Sequence, residues 1–270
     1  MTGCLFRVTR SDPRGVVCRL RTGDYRPGRL AGPATVFLFA CACTPAIPAL
    51  SGGRTTPAER IEMAAGAATR VPLGSLGSTD PAVDEPAGRA IDLRGFTRRG
   101  GVAPLAWVSL PLAEQTDLGV RLAGSALMLA LRQGFYLEEN TQLVGGLSVY
   151  GGAVLLEDQA GQSAIGPRLG ADTVWVLALD VNGIFEAWAG ARAGVEHARC
   201  ALEADRSRVR LRGTLLRLGP LLGLGLGFRR FHVLMELGAD REWWWMLGDL
   251  EPERQAGFSL TPALALRLRL

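Results

Sequence analysis

The chain has 270 residues, 48% of them hydrophobic and 21% charged, which excludes a disordered tail or a low-complexity linker. Its 30 basic residues are all arginine, and together with 35 glycines this usage points to a GC-rich genome. The net charge of +4 comes without a basic block interleaved with aromatics, so nucleic acid is not an expected partner.

The first 43 residues read as a leader. An apolar stretch from Leu30 to Ala42 follows Arg26 and Arg29 and has the length of a signal-peptide core; an ordinary buried strand is the other reading of the same run. No run reaches the roughly 18 residues of a membrane-spanning helix. Leu38-Phe39-Ala40-Cys41 resembles a bacterial lipobox, which makes Cys41 a candidate lipid anchor, with cleavage after Ala42 as the alternative. The stretch ahead of Leu30 is long for a signal and contains Asp12 and Asp24, which points to a true start further along the chain. Residues 44–58, with Pro45, Pro48, Gly52, Gly53 and Pro57, are expected as a flexible tether to a folded domain at 59–270. Of the five cysteines only Cys200 lies in that domain, so no disulfide framework is expected. No CxxC or other metal-ligand spacing occurs, and neither metal nor cofactor is expected.

From Glu59 onward the signal is alternation with a period of two, which indicates strands with two unlike faces. Candidate strands are 59–70, 102–112, 117–125, 126–137 and 141–155 in the first half. In the second half Trp175, Leu177, Leu179 and Val181 alternate with Val174, Val176, Ala178 and Asp180. Phe185, Ala187, Ala189, Ala191 and Val195 alternate with Glu186, Trp188, Gly190, Arg192 and Glu196. Over 214–228 Leu216, Leu218, Leu222, Leu224, Leu226 and Phe228 share one parity and Arg217, Gly219, Gly223, Gly225 and Gly227 the other, with Leu215 and Leu221 as exceptions. Phe231, Val233, Met235 and Leu237 alternate with His232, Leu234, Glu236 and Gly238. The last segment, 258–270, sets Phe258 and the leucines to Leu270 against Ser259, Thr261, Ala263, Ala265, Arg267 and Arg269. Glycine at this density would weaken a helix by about 1 kcal/mol per residue. The expected fold is all-β, about ten antiparallel strands in an up-and-down barrel, with eight or twelve as the neighbouring counts.

Turns near 113–116, 138–140, Asn182-Gly183 and 228–230 are short, and Asn-Gly between alternating runs is a strong type I′ hairpin signal. Connections at 71–101, 157–170, 198–212 and 243–257 are expected as long loops at the other end, with a tight junction at Gly124-Ser125 as the exception. Aromatics near strand ends, Phe135, Tyr136, Tyr150, Trp175, Phe228, Phe231, Trp243, Trp244 and Trp245, are candidates for an interfacial girdle.

Residue size separates a membrane barrel from a water-soluble one. The second face is glycine, alanine and a few charges, whereas a soluble exterior carries many charged side chains. Placing leucine toward lipid and small or charged residues inside satisfies both faces. With these features the chain resembles a small bacterial outer-membrane β-barrel over 59–270. Its final strand, 258–270, resembles the signal read by the outer-membrane assembly machinery, although such signals usually end in an aromatic residue and this one ends in Leu270. The resemblance implies outer-membrane lipid and that machinery as partners, and the outer membrane of a Gram-negative bacterium as location.

For chemistry there are only two histidines. His232 shares a parity with Glu236 and Asp240, so a proton shuttle is one reading and a plug of paired charges the other. Glu186, Arg192, Glu196, Arg217, His232, Glu236 and Arg267 are expected as a lumen charge network that closes the tube or lines a narrow water path. No catalytic residue is singled out. The expected function is a structural, adhesive or surface-binding role through the loops, with narrow solute passage as a variant. The alternatives are an outer-membrane hydrolase or protease acting at the loop ends, and a soluble periplasmic barrel holding an apolar ligand.

Overall fold

The computed structural model describes residues 52–77, 96–97, 100–157, 163–204, 207–228, 230–247 and 252–270, with the backbone alone at 155–157, 163–165, 202–204 and 207–209. The Leu30–Ala42 run and Cys41 lie outside the described residues. Ten strands form: β1 (Glu62–Leu73), β2 (Gly101–Ala113), β3 (Thr116–Ala123), β4 (Ala126–Glu138), β5 (Thr141–Glu157), β6 (Ser163–Val181), β7 (Phe185–Ala204), β8 (Ser207–Phe228), β9 (Phe231–Leu247) and β10 (Glu253–Arg269). Each pairs antiparallel with its chain neighbours, and β10 returns to β1, closing the barrel. Closure extends past the ladder, where Leu270 N–H donates to the Ile61 carbonyl at 2.9 Å. Among the described strands no edge remains exposed.

The short connections β2–β3, β4–β5, β6–β7 and β8–β9 all lie at one end, with the N-terminal side of β1. Asn182 and Gly183 both take positive φ, 55° and 65°, as a type I′ turn demands, and the Asp180 carboxylate accepts from Gly183 N–H at 2.7 Å. Gly124, with φ 55°, makes the tight β3–β4 junction at the opposite end.

Side-chain direction follows the period-two pattern. Leu222 and Leu266 are about half exposed, at 56% and 50%, whereas Glu186 and Arg267 are fully buried at 0%. Leucines line the outer wall and the charged residues line the lumen, the reverse of a soluble barrel with an apolar interior. The outward apolar run covers Phe185–Val195 on β7, Leu216–Phe228 on β8 and Phe258–Leu270 on β10. At ~3.3 Å per residue and a ~45° tilt these runs span roughly 23–28 Å, close to a bilayer's hydrocarbon core. Leu215 and Leu221 face inward and are buried.

Two expectations are corrected. The segments 163–170, 198–204, 207–212, 243–247 and 253–257 are strand rather than loop, so β7 and β8 reach 20 and 22 residues. In this extension the polarity of the two faces inverts. Phe96, Ala198, Cys200, Leu211, Leu215, Trp244 and Met246 pack inside, while Arg199, Arg210 and Arg212 point out. Past the belt the barrel therefore buries an apolar core in the ordinary way, and this core gives the extended strands something to pack on.

The second correction concerns the tether. Gly52, Gly53, Thr55 and Thr56 are buried inside the short-turn mouth of the barrel. Thr56 N–H donates to Asp117 Oδ2 at 2.6 Å, Thr55 N–H to Gln142 Oε1 at 3.4 Å, and Arg54 pairs with Asp180 at 3.3 Å. Carboxylate and amide groups on the inner wall thus satisfy a backbone that has no ladder of its own.

Candidate functional site

The site the sequence pointed to is the lumen, and it is built from the inward parity of all ten strands. Among the described residues eight arginines and eight carboxylates are buried there. A buried charge needs a partner and further hydrogen bonds, and here the charges come as tiers of pairs along the barrel. Nearest the short turns, Glu186 receives Arg267 at 2.6 and 3.0 Å and Arg269 at 2.7 Å, while Arg269 also reaches Glu62 at 2.7 Å. Arg132 clasps Asp117 at 2.8 and 2.5 Å. Higher on the strands, Arg217 clasps Asp172 at 3.1 and 2.5 Å. Arg192 binds Asp240 through Nε at 2.8 Å and Thr261 Oγ1 at 2.6 Å. Arg168 stands 3.5 Å from Glu196, which also accepts from the Tyr150 hydroxyl at 3.0 Å. At the far end Arg70 grips Glu242, which accepts as well from Ser259 Oγ at 2.5 Å and Trp244 Nε1 at 2.8 Å.

Of the seven residues singled out in the sequence, all face the lumen but they do not form one connected set. Glu186 and Arg267 meet directly; Arg192, Glu196 and Arg217 each bind carboxylates or cations from outside that set. Glu236 accepts from Trp188 Nε1 at 3.2 Å. His232 uses Nε2 toward the Gly183 carbonyl at 2.8 Å. A carbonyl only accepts, so Nε2 carries the proton there. His232, Glu236 and Asp240 share a face yet each is engaged elsewhere, which separates the suggested proton shuttle. The partners missed in the sequence are Glu62, Arg70, Asp117, Arg132, Arg168, Asp172 and Glu242. Parity alone could have found them, because each lies an even number of residues from an inward neighbour on its own strand.

Apolar side chains fill the space between the charges: Trp107, Met128, Tyr150, Trp188, Leu221 and Leu234 are buried inside. A Cβ at Gly223 would lie 2.1 Å from the Trp188 ring, so the glycine-rich run of β8 supplies the room that large lumen side chains require. A cavity of about 30 Å³ bordered by Arg121, Arg132, Arg192, Asp172 and Ser148 has room for about one or two waters.

The girdle residues divide. Phe228, Phe231 and Trp245 are exposed on the outer wall, and Trp243 is half-buried on the same side. Trp244 is a correction: three consecutive residues of a strand cannot all face outward, and Trp244 lies inside, its ring centroid 6.3 Å from that of Phe96. Tyr150 is likewise inside, hydrogen-bonded to Glu196. Trp175 faces outward but sits in the middle of the apolar run of β6, over Gly145 of β5, rather than at its edge.

His197 lies on the outer wall of β7. Its Nε2 accepts from Arg199 Nε–H at 3.0 Å, so the neutral ring carries its proton on Nδ1 and donates to Thr214 Oγ1 at 3.0 Å. In that tautomer it cannot take the Thr214 hydroxyl proton. Among the described residues no three His, Cys, Asp or Glu side chains come together as a metal-binding set.

No family model matches the chain, and no curated relative does. Among solved structures, the outer membrane protease OmpT from Escherichia coli is similar at 9% identity and a TM-score of 0.37, over 80% of this chain and 98% of that one. Neisserial surface protein A is similar at 10% identity and a TM-score of 0.33, over 77% and 95%. A Pseudomonas aeruginosa FadL homologue is similar at 10% identity and a TM-score of 0.28, over 84% and 95%. No residue role is carried across at this level of likeness.

Proposed function

We propose that this chain is an outer-membrane β-barrel of a Gram-negative bacterium with a closed lumen. Its work is done on its surface, in a structural, adhesive or binding role at the end where residues 74–100 connect β1 to β2. The observation that carries this reading is the filled interior. The charged tiers are paired, the short-turn mouth holds residues 52–56, and the opposite mouth holds Phe96 against Trp244. The apolar outer belt, of bilayer height, supports the membrane setting. In this reading 258–270 is the segment offered to the assembly machinery and Cys41 the site of acylation. The short turns then face the periplasm.

The test is planar-bilayer conductance of the refolded protein. A closed lumen gives no channel steps above the bare bilayer. Stable steps of open-pore size would overturn the closed-barrel reading and restore solute passage.

A further inference from the structure

At and above the rim of the apolar belt, the outer wall of β7–β10 carries five arginines and, among the described side chains, no carboxylate: Arg199, Arg210, Arg212, Arg241 and Arg254. Arg199 stands directly opposite Arg212 in the β7–β8 ladder. Opposed side chains in a sheet begin about 5 Å apart, and like charges placed there repel. Among the described residues neither has a carboxylate partner. Arg199 is nonetheless held in place, since His197 takes its Nε–H and is itself anchored on Thr214. Among the described residues no other group accepts from Arg199, so its two Nη groups have no acceptor there.

The rungs below are apolar and aromatic: Leu216 of β8 pairs with Val195 on one side and Trp243 on the other, and Thr214 pairs with Trp245. Arg241 lies over the Phe258 ring at 4.7 Å, which keeps a cation at the belt's rim. Two mutually repelling guanidinium groups, one of them positioned, want a doubly charged oxyanion between them, and arginine forks match phosphate. The belt beneath has no break, so a phosphate bound here would have its own apolar part lying against leucine and tryptophan.

We propose that Arg199 and Arg212, with Arg241 at the rim, bind the phosphate headgroup of an anionic membrane lipid whose acyl chains lie along the β7–β9 wall. The site rests on the membrane reading above. It differs from a free-phosphate site in needing the acyl chains.

The test reconstitutes the refolded full-length protein in vesicles of phosphatidylcholine, with and without a minor fraction of phosphatidic acid. Two quantities are read: the temperature at which the folded gel band is lost, and the lipid retained in native mass spectrometry. Phosphatidic acid should raise the midpoint by several degrees. Arg199→Gln with Arg212→Gln should abolish that shift and reduce retained phosphatidic acid severalfold. Arg60→Gln with Arg230→Gln, which removes the same charge at the opposite end, should keep both. If the double variant does not fold, Arg212→Gln alone carries the comparison.

Equal midpoints in the two vesicles, or equal loss in the Arg60 and Arg230 control, would overturn the site. An equal shift from inorganic phosphate added to phosphatidylcholine vesicles would also overturn it, in favour of a free anion. Protein that floats with both vesicles yet ignores phosphatidic acid defeats this site alone. Protein that floats with neither defeats the membrane reading too.

Discussion

Arg267 on β10 and Glu186 on β7 meet across the lumen, 81 residues apart in the chain, through N–H···O bonds of 2.6 and 3.0 Å. Both side chains are fully buried, and Arg269 shares the same carboxylate. This junction ties together strands that are not neighbours in the barrel, so it resists ovalisation as well as closing the lumen. Removing one partner of a buried pair leaves an uncompensated charge, typically at a cost of 3–5 kcal/mol. Glu186→Gln should therefore lower the urea unfolding free energy by about that range. A change as small as the ±0.5 kcal/mol usual for surface substitutions would contradict it.

The tryptophan run supplies a contrast within three residues. Trp244→Ala removes a ring packed beside Phe96 and a hydrogen bond to Glu242, and should cost about 3–5 kcal/mol. Trp245→Ala, on the exposed outer wall, should cost markedly less in the same assay. Equal losses would mean that the inward placement of Trp244 is mistaken.

Residues 52–56 make a prediction about accessibility. A Cβ at Gly53 would lie 2.8 Å from Ala178 Cβ and 3.2 Å from Trp188 Cβ, so Gly53→Leu should expel the segment from the mouth. Trypsin should then cleave after Arg54 in the folded variant and spare that bond in the parent. Mass spectrometry of the released fragments distinguishes cleavage there from cleavage at exposed Arg60. Rapid cutting after Arg54 in the folded parent would contradict the plug.

The pH dependence of the outer wall has a definite sign. His197, above the belt on β7, has its pKa lowered by partial burial first and then by the charges of Arg199 and Arg212. The unfolded chain therefore binds this proton at a higher pH than the folded one does. The stability tied to neutral His197 is fully present above the ordinary histidine value of about 6.5 and is lost as the pH falls through the lowered folded value. His197→Gln should flatten that part of the stability profile. A profile unchanged by the substitution would remove His197 as its source.

What could be read from the sequence depended on where the polarity pattern held still. Within the belt, leucine faces outward and the other parity is small or charged, so β8 and β10 declared themselves; Asn182-Gly183 declared its turn. Past Val195 and Leu216 the same alternation continues with its polarity exchanged. His197 and Arg199 outward, with Ala198 and Cys200 inward, therefore looked like the start of a polar loop. The pairing partners of Glu186 and Arg192 lie on strands distant in the chain, and no local spacing reports them. Residues 52–56 look like linker because, apart from the Arg54–Asp180 pair, their hold on the barrel uses backbone N–H groups of Thr55 and Thr56, which leave no mark in the side-chain pattern.

In the proposed membrane setting, the outward leucines face lipid and their neighbours face the lumen. Single cysteines at 263–268 in a cysteine-free background, labelled with a fluorophore in brominated-lipid vesicles, test this position by position. Labels at Leu264, Leu266 and Leu268 should be strongly quenched, and those at Ala263, Ala265 and Arg267 spared. Quenching of the second set in place of the first, or of both sets equally, would contradict it.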